Sequence, residues 1–123
     1  MSLAEYFKST EGLGVLATSD SDGNVDVAIY ARPYVMDENT IAFSMLERTS
    51  LANIRSNPRA AYLFIERGEG YRGKRLYLVK AGEETDPQRI EAIKEQRPST
   101  RKPTQAKKHL VYFTVDKIRP LVG

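Results

Sequence analysis

Cysteine is absent from this sequence of 123 residues, and histidine occurs only once. Without cysteine there is no disulfide framework, no thiolate zinc site and no cysteine nucleophile. His109 is therefore the only imidazole that a nucleophile–base–orienter triad could use. It stands at the start of an apolar strand pattern beside two lysines, so we interpret it as a structural or exposed residue. One histidine without cysteine predicts no transition-metal site.

Long apolar runs are also missing. No segment approaches the length of a membrane span, and the N-terminus lacks the charged and apolar regions of a signal peptide. We therefore expect a cytoplasmic protein with no membrane partner. The hydrophobic content of 41% and the lack of a long low-complexity tract fit one folded domain over residues 1–123. The core of such a chain is small, so a dimer would bury more apolar surface.

The charged residues form no evident catalytic group. The aspartates and glutamates fall at turns, caps and strand ends rather than in pairs, so the sequence identifies no catalytic residue. The formal net charge of +3 suits an anionic ligand as well as it suits nucleic acid. The basic stretch Arg97–Lys108 has no interleaved aromatic residues that could stack on bases, so we predict no nucleic-acid partner.

What the sequence does have is a series of short strand patterns separated by turns. Apolar and polar residues alternate over Val25–Ile29, and Pro33 then suggests an edge or a bulge because proline donates no ladder hydrogen bond. The continuous apolar run Ala60–Ile65 predicts a strand buried on both faces. We predict six or seven strands and three short helices. Since strands and helices do not alternate regularly, the pattern favours a mainly β fold, a small antiparallel barrel or sandwich.

One helix lies within the run Glu47–Arg59. Thr49 or Ser50 is predicted to cap it, and Pro58 ends it because the residue before proline avoids the helical region. Arg48, two hydroxyl groups and several unpaired backbone amides would gather at its N-terminus, which is a suitable cradle for a phosphate group. The alternative is an ordinary capped helix with a solvated arginine.

A glycine-rich turn contains a second basic cluster. Gly70–Lys74 has too short a spacing for GxxxxGK[ST], and no helix pattern follows it, so it is not a phosphate loop. The remaining cluster of Tyr71, Arg72, Lys74 and Arg75 is either a solvated hairpin tip or a lip that reaches an anionic ligand held by a second subunit.

The order of these elements resembles the FMN-binding split-barrel family, which includes pyridoxamine 5′-phosphate oxidase and small bacterial FMN-binding proteins. The similarity covers nearly the whole chain and is densest from Gly14 to Phe64. No single motif carries it. It lies in the succession of the Asp22-Gly23 turn, Tyr30-Ala31-Arg32-Pro33, Phe43-Ser44-Met45-Leu46, the short helix and Asn57-Pro58.

The resemblance implies a six- or seven-stranded split β-barrel and a homodimer with FMN at the subunit interface. It also implies a set of cofactor-binding residues. Those along the isoalloxazine ring would be Tyr30, Ala31, Arg32 and Pro33. Those flanking the ring or the ribityl chain would be Ser44, Met45 and Leu46. Those at the phosphate would be Arg48, Thr49, Ser50 and Asn53.

Two features of this set follow from the same resemblance. Many family members carry a lysine at the position of Ser50, so here Arg48 or Arg32 would supply the positive charge for the phosphate. Arginine can bind a phosphate through two parallel hydrogen bonds. Lys74 and Arg75 are the candidates for a cation donated by the partner subunit, which would favour the anionic reduced flavin and raise its potential.

The resulting hypothesis is a flavin-dependent oxidoreductase that acts on a small molecule, with FMN carrying the electrons or hydride. Two alternatives stay open at this point. One is a non-enzymatic FMN carrier or electron-transfer module. The other is the same fold binding a deazaflavin or haem.

Overall fold

The computed structural model describes residues 2–96 and 108–123 as a mainly β protein with three short helices. The strands are β1 (Gly12–Ser19), β2 (Val25–Ile29), β3 (Tyr34–Asp37), β4 (Thr40–Leu46), β5 (Arg59–Glu66), β6 (Gly73–Glu84) and β7 (Lys108–Pro120). The helices are α1 (Leu3–Ser9), α2 (Thr49–Ser56) and α3 (Pro87–Lys94). The prediction of a mainly β fold with six or seven strands is confirmed.

All seven strands form one sheet in the order β2-β1-β5-β6-β7-β4-β3, and every neighbouring pair is antiparallel. The two edge strands, β2 and β3, are consecutive in the chain and are joined by the segment that contains Pro33. The predicted interruption at this proline is therefore confirmed. The register between β6 and β7 shifts between Lys80 and Gly82, as at a β-bulge.

The sheet curls around one main core. Alternate residues of β1, β5 and β6 point into it, among them Leu16, Tyr62 and Leu76, each with no exposed surface. The Tyr30 ring, just after β2, packs edge-to-face on Phe43 of β4 with ring centroids 5.8 Å apart. This contact joins the two ends of the sheet, so the strands enclose a barrel with its opening between β2 and β3.

β5 differs from its prediction as a strand buried on both faces. Tyr62 and Phe64 are fully buried, whereas Ala61, Leu63 and Ile65 on the other face are only partly covered. The physical reason is that Tyr6 and Phe7 of α1 pack on the inner residues of β5, while no element of the described chain packs on its outer side. That outer face keeps the apolar residues of a buried strand without a cover.

Two of the helices, α1 and α3, begin at side chains that cap them. The Ser2 hydroxyl accepts a hydrogen bond from the Glu5 amide at the start of α1, and the Asp86 carboxylate accepts one from the Gln88 amide at the start of α3. Ile90 of α3 packs on Ala42 and Leu110, outside the main core. Pro98 and Pro103, expected to end α3 and to punctuate the basic loop, lie outside the described residues. Within the described part of the chain, no helix has the length and apolarity to cross a membrane.

Candidate functional site

The segment between β2 and β3 is held in place from behind. The Tyr30 amide donates to the Gly14 carbonyl at 3.0 Å, and the Tyr62 hydroxyl donates to the carbonyls of Tyr30 and Ala31 at 3.0 and 3.2 Å. The Tyr62 side chain that makes these bonds is fully buried, so the packed core fixes its position. The ring of Tyr30 faces the core, so this residue offers its backbone rather than its ring to a ligand, while Ala31 is exposed.

Arg32 binds the C-terminal end of α1. Its guanidinium donates at 2.9 Å to the carbonyls of Phe7 and Thr10. It lines a polar cleft of about 520 Å³ in which no residue of α2 takes part. The structure therefore does not bring Arg32 to the N-terminus of α2, and Arg48 is the arginine left beside that helix start. Pro33, which follows Arg32, is buried.

The three residues predicted at the end of β4 point to opposite faces of the sheet. Met45 is 1% exposed and belongs to the main core. Ser44 and Leu46 are partly exposed on the other face and pair with Leu110 and Lys108 of β7. Met45 can offer only its backbone to a ligand, whereas Ser44 and Leu46 can offer side chains.

The N-terminus of α2 is the most open part of the predicted set. The prediction that Thr49 or Ser50 caps this helix is wrong, because Arg48 occupies the cap position and no side chain accepts a hydrogen bond from the first turn. The reason is the path of the backbone before the helix, where the Arg48 amide donates to the Leu46 carbonyl. The helical hydrogen bonds then begin with the Ala52 amide, which donates to the Arg48 carbonyl. Thr49 and Ser50 are thereby drawn into the first turn.

This arrangement leaves first-turn amides without a side-chain partner, beside the exposed side chains of Arg48 and Thr49. Ser50 and Asn53 are buried instead. The Asn53 side-chain amide donates from Nδ2 to the Thr18 hydroxyl at 3.1 Å, which fixes α2 against β1. In this turn Arg48, Thr49 and the backbone can face a ligand, while Asn53 supports the helix from below.

Lys74 and Arg75 lie on opposite faces of β6. The Lys74 ammonium stands over the Tyr6 ring, 4.7 Å from its centroid. Arg75 lies on the outer face, where its guanidinium donates to the Pro120 carbonyl at 2.8 Å and to the Gly123 carbonyl. The two side chains therefore do not form one cationic group, and only Arg75 faces outward with the uncovered side of β5.

The outer face of the barrel carries a shallow apolar cavity. It has a volume of about 170 Å³ and is lined by residues of β1, β2, β5 and β6: Val15, Ala17, Val27, Ala61, Tyr62, Leu63, Arg75 and Tyr77. The three apolar residues of β2 that point outward, Val25, Val27 and Ile29, are each at least 68% exposed. A contiguous apolar face of this kind is typical of an interaction surface.

One cluster was not predicted from the sequence. His109 is 4% exposed, its Nε2 lies 3.1 Å from a Glu47 carboxylate oxygen, and its Nδ1 lies 3.7 Å from one of Glu83. Arg55 of α2 binds Glu83 through two hydrogen bonds of 2.9 and 3.1 Å, and Lys80 binds it at 2.6 Å. The hydrogen bond from Arg55, together with Lys80, lowers the pKa of Glu83 to about 2.

The partners of His109 are far apart in sequence, so no local signal could have found the cluster. Only the register of β4 with β7, which places Met45 opposite His109, brings Glu47 close to the ring. Among the described residues, no three side chains of the types that bind metals are grouped closely enough to hold an ion.

Comparisons with known proteins now bear on this geometry. The sequence profile of a protein family described as pyridoxamine 5′-phosphate oxidase matches residues 3–121. No protein of curated function matches the chain.

Several solved structures have the same fold. An FMN-binding protein from Syntrophomonas wolfei superposes with a TM-score of 0.80 at 18% identity, covering 98% of this chain and 84% of the other. An F420 reductase gives a TM-score of 0.72 at 20% identity, covering 94% of each chain. HupZ of Group A Streptococcus gives 0.71 at 21% identity, covering 89% and 85%. At these identities the similarity shows the fold alone.

Proposed function

We propose that this chain, which belongs to the pyridoxamine 5′-phosphate oxidase family, binds FMN non-covalently at the interface of a homodimer and uses it in redox chemistry on a small molecule. The observation that carries the proposal is the open first turn of α2, where amides without a side-chain cap lie beside the exposed Arg48.

The residues of this turn fit the phosphate of FMN. Amides at a helix N-terminus point toward an anion, and the helix dipole favours negative charge there. Arg48 can add a two-pronged, charge-assisted hydrogen bond and Thr49 a hydroxyl group. Ser50 is buried, so in this chain Arg48 would take the role of the lysine that the family carries at position 50.

The apolar outer face fits the flavin ring, but one chain cannot bring this face and the first turn of α2 to the same FMN molecule. Thr18 of β1 faces α2, whereas its neighbour Ala17 lines the outer cavity. Successive strand residues point to opposite faces of a sheet, so the barrel wall stands between α2 and this cavity. A second copy could place its outer face, with Arg75, against the turn of the first.

Bound FMN would supply the electron or hydride transfer, and the chain's own residues would bind, orient and shield it. The backbone of Tyr30 and Ala31 is fixed by Tyr62, which would give the ring a rigid edge. Arg75 would place a positive charge near the ring, which raises the potential of a flavin. No described residue is assigned as an acid or a base. We expect the protein to work in the cytoplasm.

The contacts of His109 favour a flavin over a histidine-ligated haem. It is the one histidine of the sequence, and its buried ring has a carboxylate near each nitrogen. An axial ligand must instead present a nitrogen that the iron can reach, and this residue is only 4% exposed. A deazaflavin stays a second candidate, because an F420 reductase shares the fold over 94% of both chains.

The test of the proposal is flavin binding by the purified protein and by an Arg48→Ala variant. Loss of a charge-assisted phosphate contact should weaken FMN binding about tenfold to a hundredfold and leave riboflavin binding unchanged, since riboflavin has no phosphate. Quenching of flavin fluorescence measures both affinities.

Arg89→Ala is the matched control, because Arg89 is an exposed arginine of α3 that pairs with Glu84; it should bind FMN like the wild type. A colourless wild-type protein that takes up neither FMN nor F420 would overturn the proposal. Uptake of F420 alone would replace FMN by the deazaflavin.

Rapid mixing of the FMN-loaded protein with NADH or NADPH separates an enzyme from a carrier. An oxidoreductase should pass electrons on to a small organic acceptor at a rate that saturates with acceptor concentration. An electron-transfer module should exchange electrons with redox proteins and show no such saturation.

A further inference from the structure

The buried imidazole of His109 lacks the hydrogen bonds that such a group normally makes. Among the described residues, neither ring nitrogen has a partner of acceptable geometry, although Nε2 lies 3.1 Å from Glu47 and Nδ1 3.7 Å from Glu83. Buried polar side-chain atoms nearly always have partners, so an exception asks for an explanation. The distances are those of ion pairs rather than of aligned hydrogen bonds.

The charged groups around the ring leave the Glu47 carboxylate dependent on His109 for a close positive partner. From β6, Lys80 and Glu83 face the ring, and Lys80 binds Glu83. From α2, Arg55 also binds Glu83 and reaches Glu47 only at 3.8 Å. Within residues 2–96 and 108–123, the nearest group able to carry a positive charge beside the Glu47 carboxylate is therefore His109.

Glu47 immediately precedes the cap of α2. Its carboxylate adds negative charge next to Arg48 and the open first turn. An uncompensated carboxylate at this position would repel a phosphate dianion and would leave the turn without a tie to β7. A protonated imidazole has an N–H on both nitrogens and can face both carboxylates, whereas a neutral one has a single N–H.

We propose that His109 is a positioning residue whose protonated form pairs with Glu47, holds the first turn of α2 in its phosphate-binding position, and makes FMN affinity depend on pH. This inference rests on the proposed function. It adds a proton-dependent control to the phosphate end of the site, with Arg55, Lys80 and Glu83 as the fixed charges around the switch.

The experiment uses the untagged full chain, in which the imidazole NMR signals all belong to His109 because the sequence has one histidine. The ratio of the FMN dissociation constants of wild type and Glu47→Gln is measured across pH 5 to 9. Taking the ratio removes the titration of the FMN phosphate itself. As pH rises through the midpoint of the imidazole signals, the ratio should increase about twofold to fivefold, the range of exposed ion pairs.

Glu47→Gln is a suitable variant because this side chain is 63% exposed, so its replacement does not disturb the core. Glu38→Gln is the matched control, since Glu38 is exposed in the turn between β3 and β4, at the far end of β4. Its ratio to wild type should not change at the His109 midpoint. A Glu47→Gln ratio that stays constant across that midpoint would overturn the proposal.

A second readout does not require FMN. Amide hydrogen exchange at Thr49 and Ser50 is compared with exchange at Gln88 and Arg89, two first-turn amides of α3 that serve as an internal reference. In the ligand-free wild type this ratio should rise above the His109 midpoint, and in Glu47→Gln it should not. If the wild type binds no flavin at any pH but shows this change, the proposed function fails while the His109–Glu47 pairing holds. If the exchange ratio does not follow the midpoint, the pairing fails.

Discussion

At Gly14 the backbone of β1 passes directly in front of the Tyr62 hydroxyl. A Cβ atom placed there would overlap this hydroxyl and the Tyr30 carbonyl that accepts its hydrogen bond. The absence of a side chain at position 14 therefore allows the tyrosine to reach across β1 and hold the strand break. Gly14, Tyr30 and Tyr62 are far apart in sequence, so no local signal predicts this contact.

We predict that Tyr62→Phe destabilises the fold by about 1 to 2 kcal/mol, because the carbonyls of Tyr30 and Ala31 lose the hydroxyl donor that they share. It should also weaken FMN binding, since the segment at Tyr30 and Ala31 is no longer fixed.

Gly14→Ala should destabilise the fold more, by about 3 kcal/mol, because the fully buried Tyr62 cannot move aside. Urea unfolding measures both changes. Gly82→Ala is the control, since a Cβ there meets only ordinary contacts. Equal stability of Gly14→Ala and Gly82→Ala would contradict this account.

At the scale of elements, the pairs of Arg55 with Glu83 and of Asn53 with Thr18 fix α2 to β6 and to β1. The Glu83 carboxylate has two cationic partners and a side chain only 21% exposed. The pair of Arg55 with Glu83 is a tertiary contact, because the whole of β5 lies between α2 and β6 in the sequence.

We predict that the stabilisation from Glu83 depends on pH with a defined sign. Its pKa is about 2 in the folded protein against an ordinary value of 4.5, so the stabilising effect is complete above pH 4.5 and is lost as pH falls toward 2. Glu83→Gln should therefore be about 2 kcal/mol less stable than wild type at pH 7. By pH 3 the difference should be clearly smaller, as measured by urea unfolding. With Glu38→Gln no such convergence is expected, and a Glu83→Gln difference that did not depend on pH would refute the assignment.

The elements also show what the sequence could predict. Short helices could be predicted because capping bonds such as those of Ser2 and Asp86 lie within three residues of sequence, and the strands because alternation and turn residues are local signals. The cap of α2 was predicted wrongly, because the hydrogen bond from the Arg48 amide to the Leu46 carbonyl decides where the helix begins. Arg32 and Lys74 looked free in the sequence but bind α1 and Tyr6, contacts that depend on the complete fold. For the other candidate residues, both the site and its ligand stay predictions.

The outer face of β2, β1, β5 and β6 is the largest feature of the fold that still needs a covering partner. Apolar residues continue across these four strands around the cavity that Val27 and Leu63 help to line. Val27 is 68% exposed, which is unusual for a valine in the middle of a strand. A second copy of the chain is the cover that agrees with the proposed site.

We predict that Val27→Glu converts a dimer into a folded monomer. Two like charges would meet or be buried at a symmetric interface, so the dimer dissociation constant should rise at least about tenfold. FMN affinity should fall with it, because the site needs both copies. Sedimentation velocity and circular dichroism measure assembly and folding. Met36→Glu, on β3 at the other edge of the sheet, is the control. A wild type that binds FMN as a monomer would show that the interface is not required.

β2 is bordered by β1 on one side only, and its outward row of Val25, Val27 and Ile29 lies next to that open border. A lone chain would expose unpaired main-chain groups and bare hydrocarbon side by side, the combination that lets foreign strands attach and grow. Cells that make this polypeptide faster than it can find its counterpart should therefore accumulate it as precipitate rather than as dissolved, ligand-free protein. Production yield would then be limited by self-association rate, not by thermal tolerance.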